Sequence, residues 1–310
     1  FDRLFLELGR IFLLRDLLHL LPPKSNVNCT SPLEDYFSGE AQDVSGIVPD
    51  GTDSHTFEPV PTDAKLLAAA DIIIVNGLDL ELPTVKLAEK VKKDGTLIVA
   101  LGNRTLRKED WRYDFSFPRE HGHPNPHLWP NIAMAMRYAE ITRDSLAALD
   151  PANREGYFAN TALYLEKLHK LDEAIFDCVK TIPENNRKLV TYHDSFAYFA
   201  PRYGMTVIAA IQPSNFSEPR PQEVIRIIKQ LKKESVPAIF GSEVFPSKVM
   251  EQIARETGAR FIDQLSDDEL PPPPRNSFIG MMADNMTLMT GALGGDSGCM
   301  AHVDARNPAF

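Results

Sequence analysis

LLAAADIIIVN, residues 66–76, ends in a run of β-branched residues and is followed by Gly77. The first half of this stretch has a helical pattern, and an apolar β-branched run closed by glycine is typical of a buried strand. Residues 83–93 again look helical, and TLIVAL at 96–101 is a second apolar run. A strand, a helix and a strand at this spacing predict parallel β/α units.

The same alternation returns in the second half of the chain. It predicts further strands and helices, with strands at 188–193, 205–211, 238–242 and 259–265, and helices at 221–235 and 247–258. Gly258 is a natural stop signal for the last of these helices. The predicted fold class is therefore α/β, with two lobes that each contain a parallel sheet flanked by helices.

The stretch from Asn131 to Thr181 carries almost no strand signal. Its apolar residues recur at three- and four-residue steps, which predicts one long amphipathic helix from about Pro151. Two shorter helices broken near Gly156 are the alternative. Asn131 is a suitable N-cap for a separate helix that starts directly after it.

These patterns divide the chain into four parts. We expect an N-terminal α/β lobe at 1–150, a connecting long helix at 151–182, a C-terminal α/β lobe at 183–295 and a disordered tail at 296–310. Residues 1–25 are atypical, since charged residues interrupt their apolar pattern. This segment is interpreted as an amphipathic helix, without the unbroken apolar stretch of a signal peptide.

Composition bears on the class of ligand. The 310 residues carry a formal net charge of -10, which argues against nucleic acid and is compatible with a cation as ligand. The cysteines at 29, 178 and 299 lie far apart, which argues against a disulfide framework. Cys178 is expected to be a small core residue.

Three histidines fall in similar settings, in loops next to predicted helices and strands. They are His55 in GTDSHTFEP, His127 in NPHLWPN and His193 at the end of KLVTYH. The carboxyl ends of parallel strands are where α/β sheets bind ligands. Because the three residues are too far apart for a local zinc motif, any shared metal site must be assembled by the fold.

A fourth ligand would complete a tetrahedral site. Asp263, at the end of the last predicted strand, is the candidate, and it competes with Asp267, Asp268 and Glu243. A helix cap or turn residue is the plainer interpretation of Asp263. Side chains that could orient the imidazoles are Asp53, Glu58 and Asp194, among which the sequence does not choose.

His121 and His123 lie in the glycine- and proline-rich stretch REHGHPNPH. One interpretation is an accessory loop that collects metal near the site. A solvated polar loop without a function is the favoured alternative, since histidine has many other uses.

Together these stretches resemble the solute-binding proteins of zinc- and manganese-type ABC importers. The resemblance rests on the segment around His55, on NPHLWPN, TYHDSFAYFAPRYGM and IQPSNFSEP, and on FIDQLSD, and it covers roughly residues 26–294. The segment NVNCTSPLED departs from the family, which has a strand leading to a Thr-Thr-Ser-like turn at this place.

The resemblance implies two α/β lobes joined by one long rigid helix, with a metal held in the cleft. Its ligands would be His55 and His127 from the first lobe, and His193 and Asp263 from the second. Histidine at the third position is typical of the zinc-type subgroup, so Zn²⁺ is expected, with Mn²⁺ or Fe²⁺ less favoured. The protein would be a periplasmic or otherwise extracytoplasmic monomer, not an enzyme, and would deliver its metal to an ABC permease in the cytoplasmic membrane.

Two other functions remain open. A zinc hydrolase would use His55, His127 and His193 with a metal-bound water and a base such as Glu243. A metal-independent surface adhesin is the third class, a role sometimes attributed to this family.

Overall fold

The computed structural model describes residues 4–6, 44–49, 52–242 and 248–305. The chain forms two compact units. Unit 1 takes its described residues from Phe1–Glu109 and Met134–Lys167, and unit 2 takes them from Asp110–Ala133 and Leu168–Arg306. In this division the segment that carries His127 belongs to unit 2.

Unit 1 contains a four-stranded parallel sheet with the strand order β2-β1-β3-β4. Its strands are β1 Leu4–Leu6, β2 Val44–Ser45, β3 Ile72–Val75 and β4 Leu97–Ala100. Every side chain of β3 is buried, as expected for an inner parallel strand that is covered on both faces. This explains the unbroken β-branched run from which the fold was predicted.

The first strand corrects the interpretation of residues 1–25 as an amphipathic helix. Leu4–Leu6 is extended, with Phe5 in register with Ser45 on one side and Ile73 on the other. Pairing with two neighbours outweighs the local helical pattern, because strand formation depends more on context than on the segment's own periodicity. The rest of the predicted helix, from residue 7 onward, lies outside the described residues.

Three helices follow the strands of unit 1. They are α1 Pro61–Ala69, α2 Leu82–Val91 and the short α3 Leu101–Thr105. Leu67 of α1 and Ala88 of α2 are fully buried in one cluster with Ile73 and Val75 of β3. The predicted strand–helix–strand unit at 72–101 is therefore confirmed.

Two long helices come next, α4 Ile132–Leu149 and α5 Arg154–Thr181. A single 3₁₀ turn, Pro151–Asn153, precedes α5, which then runs for 28 residues without a break at Gly156. The prediction of one long helix is thus confirmed. The boundary between the two units falls at residues 167 and 168, inside α5. Asn131 caps α4, since its Oδ1 accepts a hydrogen bond of 3.1 Å from the backbone N–H of Ala133.

Unit 2 contains a second parallel sheet with the strand order β6-β5-β7-β8. Its strands are β5 Lys188–Thr191, β6 Thr206–Ala210, β7 Ala238–Phe240 and β8 Arg260–Ile262. Its helices are α6 Phe199–Arg202, α7 Pro221–Glu234, α8 Lys248–Thr257 and α9 Phe278–Ala292. The apolar faces of α7 and α8 are buried with β5 and β7 in one core cluster.

The end of the described chain contradicts the prediction of a disordered tail from residue 296. Cys178, in α5, forms a disulfide with Cys299 across 121 residues of sequence. Ala305 accepts a hydrogen bond of 2.5 Å from Ser277 Oγ through its backbone carbonyl. These two connections hold the tail, which is neither a helix nor a strand. Its sequence therefore shows no periodic apolar pattern. Residues 306–310 lie outside the described residues.

Among the described residues, no helix has the length and apolar composition needed to cross a membrane. The predicted fold class is confirmed, since two parallel sheets are flanked by helices and α5 is a single long helix. The helix α9 was not predicted. It is apolar on nearly all sides, so it lacks the amphipathic period that marks a helix at the surface.

Candidate metal centre

His127 lies in a rigid loop of unit 2 between two prolines. Its side chain is fully buried, and its ring packs edge-on against Trp129, with 4.9 Å between the ring centroids. Phe117 contacts another side of the ring at 5.6 Å. The loop is closed by a hydrogen bond of 2.9 Å from the backbone N–H of Leu128 to the carbonyl of Pro126. The imidazole is therefore held by both its backbone and its neighbours.

Asn125 determines which nitrogen of His127 carries the proton. Its Oδ1 accepts a hydrogen bond from the backbone N–H of His127 at 3.0 Å and lies 2.8 Å from the ring Nδ1. Its Nδ2 donates to the backbone carbonyl of Asp194 at 2.7 Å. The amide of Asn125 therefore cannot turn round, so the ring must donate through Nδ1 and present an unprotonated Nε2.

His193 follows β5 and is buried. Its backbone carbonyl accepts a hydrogen bond of 2.6 Å from Thr191 Oγ1, and its Nδ1 lies 2.6 Å from Gln212 Oε1. An oxygen at this place requires the proton of the ring on Nδ1, as in His127. The ring of His193 thus directs Nε2 away from Gln212 and toward His127.

The two Nε2 atoms lie 2.8 Å apart. When both rings are neutral and carry the proton on Nδ1, two lone pairs face each other in a buried place. Such a pair is unfavourable unless one ring gains a proton or a cation binds both nitrogens. Two converging imidazole nitrogens are the ligands that Zn²⁺, Mn²⁺ and Fe²⁺ accept in proteins, so the donor set fits a divalent metal.

A carboxylate stands beside this pair. Asp268 is buried, and its Oδ2 lies 3.8 Å from Nε2 of His193. The resemblance had indicated Asp263 for this role, but Asp263 directly follows β8 and is exposed. Leu265, Asp267 and Asp268, farther along the chain, are all buried.

Asp267 holds the turn that carries Asp268. Its two carboxylate oxygens accept hydrogen bonds from Ser195 Oγ and Ser242 Oγ, and its backbone carbonyl accepts one of 3.2 Å from Trp129 Nε1. Because its oxygens are already used, Asp267 supports the site rather than offering a ligand. Glu243, the other competitor, lies outside the described residues.

An acid pair lies behind the two histidines. Burial, as the largest cause, and the negative charge of Asp194 together raise the pKa of Asp114 to about 8. Burial also raises the pKa of Asp194, which accepts a hydrogen bond of 2.8 Å from the backbone N–H of Ser116. Through this hydrogen bond Asp194 holds the backbone at Ser116.

The other predicted residues are half-buried or exposed. His55 belongs to unit 1, is half-buried, and donates a backbone hydrogen bond of 2.9 Å to Asp53 Oδ1. Asp53 thus shapes the loop of His55, whereas Glu58 is exposed. His121, in the 3₁₀ turn Arg119–His121, and His123 are both exposed.

Sequence reasoning missed the two side chains that orient the rings, Asn125 and Gln212. Asn125 stands two residues before His127, at the spacing of a side-chain-to-backbone turn. Gln212 follows β6, the neighbour of β5 in the sheet, so the carboxyl ends of adjacent strands could have identified it.

Two α/β units that each contain a parallel sheet, together with the paired imidazoles, are typical of a metal-binding solute-binding protein. This is a class of carriers for ABC importers rather than enzymes. Residues 29–292 match the family described as ZnuA, "Zinc-uptake complex component A periplasmic", and the chain belongs to this family. The resemblance inferred from the sequence is confirmed.

Curated relatives carry the names of different metals. "Manganese-binding lipoprotein MntA" of Halalkalibacterium halodurans is 30% identical over 258 residues, 83% of this chain and 83% of the relative. "Iron-binding protein YfeA" of Yersinia pestis is 30% identical over 254 residues, 80% of this chain and 79% of the relative. The family is thus shared, whereas the metal named varies.

Solved structures have the same fold. The periplasmic zinc binding protein TroA from Treponema pallidum matches with a TM-score of 0.78 at 22% identity, covering 95% of this chain and 100% of its own. The Mn-bound periplasmic metal binding protein from Candidatus Liberibacter asiaticus matches with a TM-score of 0.77 at 23% identity, covering 94% of this chain and 100% of its own. At these identities the likeness concerns the fold alone.

Proposed function

We propose that this protein captures Zn²⁺ outside the cytoplasmic membrane and delivers it to an ABC-type permease. The observation that carries the proposal is the approach of the Nε2 atoms of His127 and His193 to 2.8 Å. Both rings are fixed in this orientation by carboxamide oxygens before any metal binds. Because the ring orientations are already set, binding of a cation requires only a small separation of the two rings.

The proposed ligand set is His55, His127, His193 and one carboxylate. For the carboxylate we propose Asp268, because it is buried and its Oδ2 lies 3.8 Å from Nε2 of His193. The resemblance indicated Asp263, which is exposed. His55 enters the set through the resemblance, which assigns the segment GTDSHTFEP a ligand histidine. Three imidazoles and a carboxylate close a tetrahedral site.

Zinc is the proposed metal because nitrogen-rich sites suit Zn²⁺, whereas Mn²⁺ prefers more oxygen ligands. The relatives named for manganese and iron make Mn²⁺ and Fe²⁺ the competing cargoes. His121 and His123, both exposed, are proposed as an accessory loop that passes metal to the buried site. We further propose that the protein acts as a monomer.

A closed ligand set leaves no position for a metal-bound water, so it favours holding a metal over hydrolysis. The disulfide between Cys178 and Cys299 supports a location outside the reducing cytoplasm. A metal-independent adhesin would keep its partner after metal removal, and nothing in the described residues favours that role.

A competition titration tests this function. Chelator-stripped protein would be titrated with Zn²⁺ and with Mn²⁺ against a coloured chelator, and the bound metal would be counted. One tightly bound Zn²⁺ per chain, with weaker Mn²⁺ and loss of binding in His127→Ala and His193→Ala, is the expected result. Preference for Mn²⁺ would overturn the choice of zinc, and absence of stoichiometric binding would overturn the function.

A further inference from the structure

Gln212 Oε1 lies 2.6 Å from Nδ1 of His193. The side chain of Gln212 is buried, with 2% of its surface exposed. Its backbone N–H donates to the carbonyl of Tyr192 at 2.9 Å, so the residue is anchored to the strand that leads to His193. Its backbone carbonyl accepts a hydrogen bond of 2.6 Å from Ser116 Oγ.

The other end of this carboxamide is different. Nε2 of Gln212 is buried and has no hydrogen-bond partner among the described residues. A buried amide N–H group without a partner carries an energetic cost, which a structural glutamine would avoid by turning or by pairing. The contact with His193 is therefore the interaction that accounts for a glutamine side chain at this place.

The side chain of Asn125 differs from that of Gln212 in this respect. The amide of Asn125 is used at both ends, since its Oδ1 binds His127 twice and its Nδ2 binds the carbonyl of Asp194. Asn125 would be needed for the loop even without a metal. The side chain of Gln212 makes no second hydrogen bond of this kind among the described residues. Substitutions at 212 should therefore affect His193 with little disturbance elsewhere.

We propose that Gln212 is a positioning residue for metal binding: its Oε1 keeps the proton of His193 on Nδ1, and its neutral carboxamide makes the ring a weaker ligand than a carboxylate would. This inference rests on the proposed metal-binding function. A carboxylate in the same place would draw the Nδ1 proton more strongly and raise the electron density at Nε2, which strengthens the bond to a metal. A carrier that must release its metal gains from the weaker partner.

The first experiment needs no metal. Nitrogen NMR of the imidazole rings in chelator-stripped protein would give the protonation of each ring nitrogen of His193. We expect Nδ1 to be protonated in the wild type and this preference to be lost in Gln212→Leu, which is similar in size and cannot accept a hydrogen bond. A neutral wild-type ring with its proton on Nε2 would overturn the proposal.

The second experiment measures Zn²⁺ affinity by competition with a chelator. Gln212→Leu should weaken binding about 10- to 100-fold, and Gln212→Glu should strengthen it by up to about tenfold. Gln230→Glu is the matched control, because Gln230 is exposed and donates to the carbonyl of Ile208 without contacting either histidine. Equal affinities in Gln212→Glu and Gln230→Glu would contradict the role of the neutral carboxamide.

Measurements on the wild type distinguish failure of the proposed function from failure of the role of Gln212. If wild-type protein binds no metal, the proposed function fails, while the NMR result still decides whether Gln212 sets the proton of His193. If the wild type binds Zn²⁺ and Gln212→Leu binds it equally well, the function stands and the role of Gln212 is refuted. A circular dichroism melting curve of each variant confirms that it is folded.

Discussion

Nε2 of His127 and Nε2 of His193 lie 2.8 Å apart in unit 2. Two nitrogen ligands on one tetrahedral Zn²⁺ are about 3.3 Å apart, as follows from a metal–nitrogen distance of about 2.0–2.1 Å. The rings need to separate by only about half an ångström to share a zinc ion. A zinc ion bound by both rings would therefore require only small shifts of these two side chains.

The carboxylate ligand can be identified by a pair of substitutions. Asp268→Ala should weaken Zn²⁺ binding by more than about 100-fold, because the substitution removes a ligand. A change outside the ligand set typically weakens metal binding by no more than about 100-fold. Asp263→Ala should leave the affinity unchanged, since Asp263 is exposed. Affinity would be measured by chelator competition in both variants. The reverse order of effects would restore Asp263 as the ligand.

Asn125→Ala should impair both binding and stability. Loss of the acceptor at Nδ1 of His127 should weaken Zn²⁺ binding about 10- to 100-fold. The variant also leaves the buried carbonyl of Asp194 without its donor, which should lower the free energy of unfolding by about 1–3 kcal/mol. Chelator competition and urea denaturation measure the two effects.

Asn153→Ala provides the control for that substitution. Asn153 also donates from Nδ2 to a neighbour, Asp150 Oδ2, at 2.7 Å, but it lies in unit 1 on the 3₁₀ turn before α5. Its substitution should leave the metal affinity unchanged. A loss of affinity in both variants would mean that general destabilisation, and not the orientation of His127, weakens binding.

The disulfide should contribute substantially to stability. Reduction, or the double substitution Cys178→Ala and Cys299→Ala, removes a link across 121 residues and should lower the free energy of unfolding by about 2–5 kcal/mol. Thermal melting with and without dithiothreitol measures the effect. Dithiothreitol should lower the Tm of the wild type and leave the double variant unaffected; equal responses of the two proteins would contradict the pairing.

Glu81 should make unit 1 sensitive to pH. Burial raises the pKa of Glu81 to about 7, although backbone N–H groups of Asn76 and Gly77 donate to its carboxylate. A carboxyl group with a raised pKa in the folded state stabilises the fold below its unfolded pKa, and this contribution is lost as pH rises through about 7. At about 1.4 kcal/mol per pKa unit, the loss reaches about 3 kcal/mol at most.

Urea denaturation between pH 5 and pH 8 checks this expectation. Glu81→Gln cannot titrate, so its unfolding free energy should fall less over this range than that of the wild type. Glu89→Gln is the control, because Glu89 is exposed and forms only an ion pair with Lys92 at the surface. If Glu81→Gln and the wild type had parallel pH profiles, Glu81 would not be the titrating group.

Sequence patterns predicted the parallel strands well, and the reason is local. Ile72–Val75 and Ala238–Phe240 are contiguous apolar runs with a glycine shortly after each, so burial on both faces is visible in the sequence itself. The histidines at 127 and 193 were identified because each lies in a loop beside a predicted helix or strand. These features depend on neighbours in sequence.

The features that sequence patterns missed depend on distant partners. Leu4–Leu6 is a strand because Ser45 and Ile73 flank it, and Cys178 is paired because the tail returns to α5. Asp268 was one of several candidate carboxylates, and its distance of 3.8 Å from Nε2 of His193 depends on the fold rather than on its neighbours in sequence. None of these contacts produces a periodic pattern in the sequence.

The bond between Cys178 and Cys299 turns the segment between them into a covalent ring, and this ring contains all four strands β5 to β8 together with His193, Asp268 and Gln212. His127 lies outside the ring. A single cut of the backbone anywhere inside it leaves both pieces attached, so they would migrate as one band on a gel until a reducing agent separates them. A protease that nicks this part of the protein therefore opens the ring without separating His193, Asp268 and Gln212 from the rest of the chain.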